Sequence, residues 1–202
     1  MYSSHIRTET IDEKEAWGES PSSQVANSFK NGYVPARLFG PARFVRLLYG
    51  GGVGAEGFSK NPSNVYGCFW INEEDLLHIR DALRNDLSNQ ESAGKAVSMN
   101  RMGFALRHEL RQMLAICRDW TPTFDFVARL AVPRDGSVVG LVGGAKGQHV
   151  YSSEFPDYQS AIADDTDLSG GLMQYVMRFD IPANQPASHW IQSDLNFDLF
   201  YG

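Results

Sequence analysis

Gly52, Gly54 and Gly57, in the stretch YGGGVGAEG from Tyr49 to Gly57, form a formal G-x-G-x-x-G. That spacing serves pyrophosphate binding: the glycines let backbone approach the phosphates, and a following helix offers its N-terminal N–H groups. Here the context withholds the helix. After Gly57 comes FSKNPSNVYGCFW, with turn chemistry at Asn61-Pro62-Ser63-Asn64. The acids about twenty residues on, Glu73, Glu74 and Asp75, read as a helix start and not as a ribose-binding strand end. No Gly-Lys-Ser/Thr follows, which excludes a P-loop. Taken alone, the nine residues read as a glycine-rich hairpin or loop.

Other groups with reactive side chains lack the spacing their chemistry needs. His5, His78, His108, His149 and His189 are scattered, and no H-E-x-x-H, paired-cysteine or EF-hand pattern occurs, so no metal site is expected. Asp164-Asp165-x-Asp167 reads as a solvated loop. No Gly-x-Ser-x-Gly marks a hydrolase nucleophile. Cys68 and Cys117 lack metal-ligand spacing and read as small buried hydrophobes in a reducing cytoplasm, with their pairing left open. One polar residue stands out: Gln174 lies inside the apolar run LMQYVM, next to Gly170-Gly171 where backbone approach is easy.

The elements that must position such residues can be read from periodicity. Residues 1 to about 30 are rich in Ser and Glu and read as a flexible or loosely docked arm, with the folded domain spanning 31–202. VPARLF (Val34 to Phe39) reads as a strand ended by Gly40-Pro41, ARFVRLLY as a strand or short helix, and VYGCFWI (Val65 to Ile71) as another strand. Asn72 caps a helix whose Leu76, Ile79, Leu83 and Leu87 share one face. A second helix is expected over Arg101 to Trp120, with Leu106, Leu110, Met113, Leu114 and Cys117 inward. In TFDFVARLAVP, Phe124, Phe126, Ala128, Leu130 and Val132 alternate on one strand face. SVVGLVGG, QHVYSSEF, LMQYVMRFDIP and WIQSDLNFDLFY follow as further strand candidates. Helices flanked by strands give an α+β fold and not a doubly wound sheet.

Composition narrows the function classes. The chain has 202 residues, 43% hydrophobic and 12% aromatic, enough for one packed domain. A formal net charge of −6 argues against a general affinity for nucleic acid. The basic residues Lys30, Arg37, Arg43, Arg46 and Lys60 cluster around the glycine stretch, whereas eight acids face only Arg178 from Glu154 onward. That asymmetry suits a small anionic ligand, or equally a solvated basic face. No apolar run of about eighteen residues predicts a membrane span. The polar N-terminus lacks the apolar core of a Sec-type leader, so the expected location is the cytoplasm, or a target-cell cytosol reached without such a leader.

An arginine early in the first strand followed by glycine (ARLFGPAR), a glycine- and aromatic-rich stretch leading to an F-W strand (GFSKNPSNVYGCFW), a helix, a strand ending in V-P (FVARLAVP), and a late SGGLMQYVM occur in that order. This order resembles the ADP-ribosyltransferase fold, and within it the NAD glycohydrolase toxins of the tuberculosis necrotizing toxin and polymorphic toxin type, over roughly Tyr33 to Pro182. The resemblance implies a split β-sheet core with a helical insertion, NAD as substrate, and a cognate immunity protein as a possible partner. Members that transfer ADP-ribose usually carry a Gln-x-Glu or a lone glutamate in the late strand. Here Gln174 is followed two residues on by Val176.

Cleaving nicotinamide from NAD passes through an oxocarbenium-like ribosyl cation, so such an enzyme grips the pyrophosphate, walls in the ring and places an acceptor at the ribose hydroxyls. By resemblance, Arg37 takes the phosphate, with Arg43 or Arg46 as substitutes. Gly40 and Gly171 allow close approach of backbone, and Phe58, Phe69 or Trp70 wall in the nicotinamide. Gln174 accepts from the ribose. An amide cannot deprotonate a protein acceptor, which makes water the expected recipient and NAD glycohydrolysis the expected reaction. The alternatives are transfer of ADP-ribose to a macromolecule, and a non-enzymatic interaction module built on the same residues.

Overall fold

The computed structural model describes residues 6–48, 69–93, 101–114, 126–149 and 167–201. The glycine stretch 49–57, Phe58, Cys68, Cys117, Asp164 and Asp165 lie outside the described residues.

Alternation of apolar and polar residues in VPARLF and ARFVRLL produces β2 (Val34–Phe39) and β3 (Ala42–Leu48). Between them the chain crosses at Gly40, where a Cβ would collide with the Pro133 carbonyl. β4 is short, Phe69–Asn72, and runs straight into α3 (Glu73–Ser92). The expected cap forms: Asn72 Oδ1 accepts from the Glu74 N–H at 3.1 Å. α4 follows at Arg101–Leu114, and then come β5 (Phe126–Val132), β6 (Ser137–His149) and β7 (Asp167–Val176). The tail WIQSDLNFDLFY divides into β8 (Ile191–Asn196) and a short α5 (Phe197–Tyr201).

Before β2 stand β1 (Thr8–Thr10), α1 (Glu13–Trp17) and α2 (Ser23–Ala26). Composition reads this segment as an arm, yet its described part is built into the fold. β1 extends the sheet by pairing with β2, and Ala16, Trp17 and Phe29 are buried with Leu141 and Val176. Ala16, Trp17 and Phe29, with Ile11, Val25 and Tyr33 partly buried beside them, suffice to dock a segment whose average composition is polar.

The eight strands form one antiparallel order, β1-β2-β6-β7-β4-β3-β5-β8. β4 is the joint. Its Phe69 and Trp70 pair with Val176 and Tyr175 of β7, while its Ile71 and Asn72 pair with Val45 and Phe44 of β3. The inward side chains of both halves meet in one core: Ala36, Leu38, Val138 and Tyr175 from one half, Phe44, Leu48, Ala128 and Leu130 from the other. The N-terminal segment covers the outer face of the first half. α3, α4 and α5 cover the outer face of the second through Leu76, Ile79, Leu106, Leu110 and Phe197. The result is a mixed α+β fold on a large antiparallel sheet, and among the described residues no helix is long and apolar enough to cross a membrane.

Candidate functional site

β7 carries Gln174 on the outer face, with Leu172 and Val176 on either side along the strand. Leu172 packs with the α3–α4 layer and Val176 with the N-terminal layer, so Gln174 lies at the seam between the two coverings. The residue is 6% exposed. Its amide is oriented by Ser28. Nε2 donates to the Ser28 carbonyl at 3.0 Å and to Ser28 Oγ at 3.2 Å. The Ser28 hydroxyl spends its own proton on the Val25 carbonyl at 2.7 Å, so its oxygen is the accepting partner. With Nε2 held on Ser28, Oε1 is the end left to accept.

Phe69 lies next to this amide. It stands opposite Val176, which makes Gln174 its diagonal cross-strand neighbour at about 7–8 Å on the same face. Phe69 is 39% exposed, a large aromatic surface beside a buried acceptor. The register turns the next residue the other way. Trp70 pairs with Tyr175 on the inner face, is 1% exposed and meets Phe179 edge-on at 5.7 Å, so of the two aromatics on β4 only Phe69 faces a ligand-accessible surface. Arg46 reaches the same strand: its NH1 donates to the Phe69 carbonyl at 3.3 Å.

Arg37 stands elsewhere. It pairs with Val139 on β6 and Gln174 pairs with Gly143, four residues further along that strand and across it. Strand spacing then separates their Cα atoms by about 16 Å. The guanidinium is turned away from Gln174, hydrogen-bonding Glu15 on α1 and Ser137 Oγ at 3.5 Å, with Glu9 at 3.9 Å. Two carboxylates therefore occupy the fork expected to grip phosphate. Arg37 and Gln174 share a sheet face and not a site.

The chain matches no protein-family model, no curated protein and no solved structure.

The two glycines expected to approach a ligand also part company. Gly40 belongs to the scaffold: its N–H donates to the Gly136 carbonyl at 3.0 Å, and the Pro133 backbone fills the space a side chain would need. Gly171 has φ 102° and nothing within 4 Å of where a Cβ would stand. It lies three residues before Gln174, beside Gly170 (φ 64°), which packs tightly onto the β6 backbone. An L side chain is strained at both angles.

Gln174 and Phe69 are thus brought to one region of the outer face, whereas Arg37, Gly40, Trp70 and Gly171 are not, and Arg46, opposite Ala128, stands in step with Trp70 on the inner face. Ser28 escapes sequence reading because it sits in a polar stretch, and the available signal was the lone aromatic beside it, Phe29. Arg43 is held 3.8 Å from buried Glu73, which also accepts from the Tyr201 hydroxyl at 2.6 Å and has Arg129 at 3.7 Å. Among the described residues no group of His, Cys, Asp and Glu side chains is arranged to hold a metal ion.

Proposed function

We propose that this chain is an NAD glycohydrolase of the toxin-effector type, cleaving NAD to nicotinamide and ADP-ribose around Gln174. The observation that carries this reading is the orientation of the Gln174 amide: Nε2 is held by two oxygens of Ser28, and Oε1 is the end left to accept among the described residues. An acceptor held in place before substrate arrives stabilises positive charge developing on the ribose without first reorganising. Phe69 supplies an aromatic wall for the nicotinamide. A sheet divided at β4, with helices over one outer face, fits the split core of the ADP-ribosyltransferase fold.

Leaving-group departure needs no nucleophile on the protein. Water then attacks the anomeric carbon and gives up its proton to solvent, and the neutral amide orients the ribose without activating a protein acceptor. NAD labelled in its adenosine half tests this: the expected products are free nicotinamide and free labelled ADP-ribose, with protein unlabelled. Efficient transfer of label to a macromolecule replaces hydrolysis by ADP-ribosyl transfer. Absence of any nicotinamide release rejects both enzymatic readings in favour of an interaction module.

A further inference from the structure

Gln174 reaches Ser28 across β6. On one side of that strand Gln174 stands opposite Gly143. On the other side, past the start of β2, Phe29 bridges Ala145, the Lys30 N–H donates to the Gly144 carbonyl at 2.9 Å and the Lys146 N–H to the Ser28 carbonyl at 2.8 Å. Two strand spacings, about 9–10 Å, therefore separate the backbones that the amide joins. The Gln174 side chain must pass over the outer face of β6 to make its bonds.

The residue it passes has no side chain. A Cβ at Gly143 would stand 2.7 Å from the Gly32 carbonyl oxygen and 2.7 Å from Cδ1 of Phe29. Carbon atoms settle at about 3.5–4.0 Å, so the space is already filled. Backbone freedom does not explain the glycine, because its φ lies outside the left-handed region. Close approach does. Of the two obstacles the ring can turn, whereas the carbonyl belongs to the backbone that carries the segment, and Phe29 is itself buried with Trp17, Leu141 and Val176. A methyl group at 143 would thus lift residues 28–32 from β6, and Ser28 with them.

We propose that Gly143 is a positioning residue for the Gln174 amide: bare backbone there admits residues 28–32 onto β6, which seats Ser28 where it holds Nε2 and leaves Oε1 to accept. The effect on the amide needs no ligand. The effect on turnover rests on the reading of the chain as an NAD glycohydrolase.

The side-chain NH2 of Gln174 reports on this directly. In the nitrogen-labelled full chain its NMR resonances are the pair lost in Gln174→Ala, and their exchange with solvent is compared between wild type and Gly143→Ala. Exchange is expected to be at least about tenfold faster in Gly143→Ala, the protection one hydrogen bond gives, while the backbone amides of β3 and β5 keep theirs. Unchanged exchange in a folded Gly143→Ala overturns the proposal, and so does a loss of protection that extends through β3 and β5. Should Gly143→Ala not fold, the pair Gly143→Ala with Phe29→Ala, measured against Phe29→Ala alone, leaves the Gly32 carbonyl as the obstacle and decides by the same criterion. Gly143→Ala should also lower NAD turnover, and lower it no further in Gln174→Ala, since both act through one amide; additive losses contradict the positioning role. An amide freed by Gly143→Ala in a chain that cleaves no NAD keeps this role and rejects the glycohydrolase. NAD cleavage with an amide indifferent to Gly143→Ala does the reverse.

Discussion

The amide nitrogen of Gln174 donates to two oxygens of Ser28, a residue 146 positions earlier in the chain. The N-terminal segment therefore sets the direction of the one buried amide on β7. Gln174→Ala is expected to lower NAD turnover by roughly 10² to 10³ with little change in NAD affinity, because the lost contact acts on developing charge. Ser28→Ala keeps the backbone acceptor and removes one of the two restraints, so turnover should fall by less than in Gln174→Ala. Steady-state kinetics on both variants check the order, and a larger effect in Ser28→Ala would contradict it.

Arg37 is held by Glu15 and Glu9. Arg37→Ala removes a partly exposed ion pair with Glu15 and should change stability by no more than about 1 kcal/mol while leaving NAD affinity intact. Calorimetric titration with NAD checks this. A loss of affinity in Arg37→Ala returns the phosphate role to Arg37.

Asp75 makes stability depend on pH. Burial pushes its carboxyl above the usual carboxylate range, the exposed His78 beside it pulls the other way, and Glu74 adds to the rise. In the unfolded chain it titrates near about 3.9. A folded-state value above the unfolded one means the group's contribution is full below about 3.9 and is lost as pH rises through the folded value. Asp75→Asn removes that dependence. The stability of wild type relative to the variant should thus decline as pH is raised from about 4 and level off once Asp75 is ionised in the fold, as read from urea midpoints across pH. Parallel profiles would show that Asp75 does not titrate differently on folding.

Trp17 tests the docking of the N-terminal segment. It is 6% exposed, packs with Phe29, Leu141 and Val176, and lies under the Arg178 guanidinium at 5.5 Å. Trp17→Ala should cost about 3–5 kcal/mol, the usual loss for a large buried aromatic. A urea midpoint unchanged from wild type would mean that residues 6–30 hang from the domain as an arm.

Local pattern by itself determined the elements. Alternation in FVARLAV sends Ala128, Leu130 and Val132 to one face, and Asn72 before three acids starts a helix, because these outcomes depend on neighbours within a few residues. Gln174 was legible for the same reason, as a polar side chain inside an apolar strand. Register and chain crossing are set by contacts far apart in sequence, and only the tertiary structure decided them. It turned Phe69 outward and Trp70 inward by pairing β4 with β7, and it gave Arg37 to Glu15 by laying α1 across β2. It also brought Ser28 under Gln174 and left both Asp75 carboxylate oxygens buried without a hydrogen-bond partner. A one-residue change of register exchanges every inward and outward side chain of a strand, so no list of residue types, however well ordered, states which of them share a site.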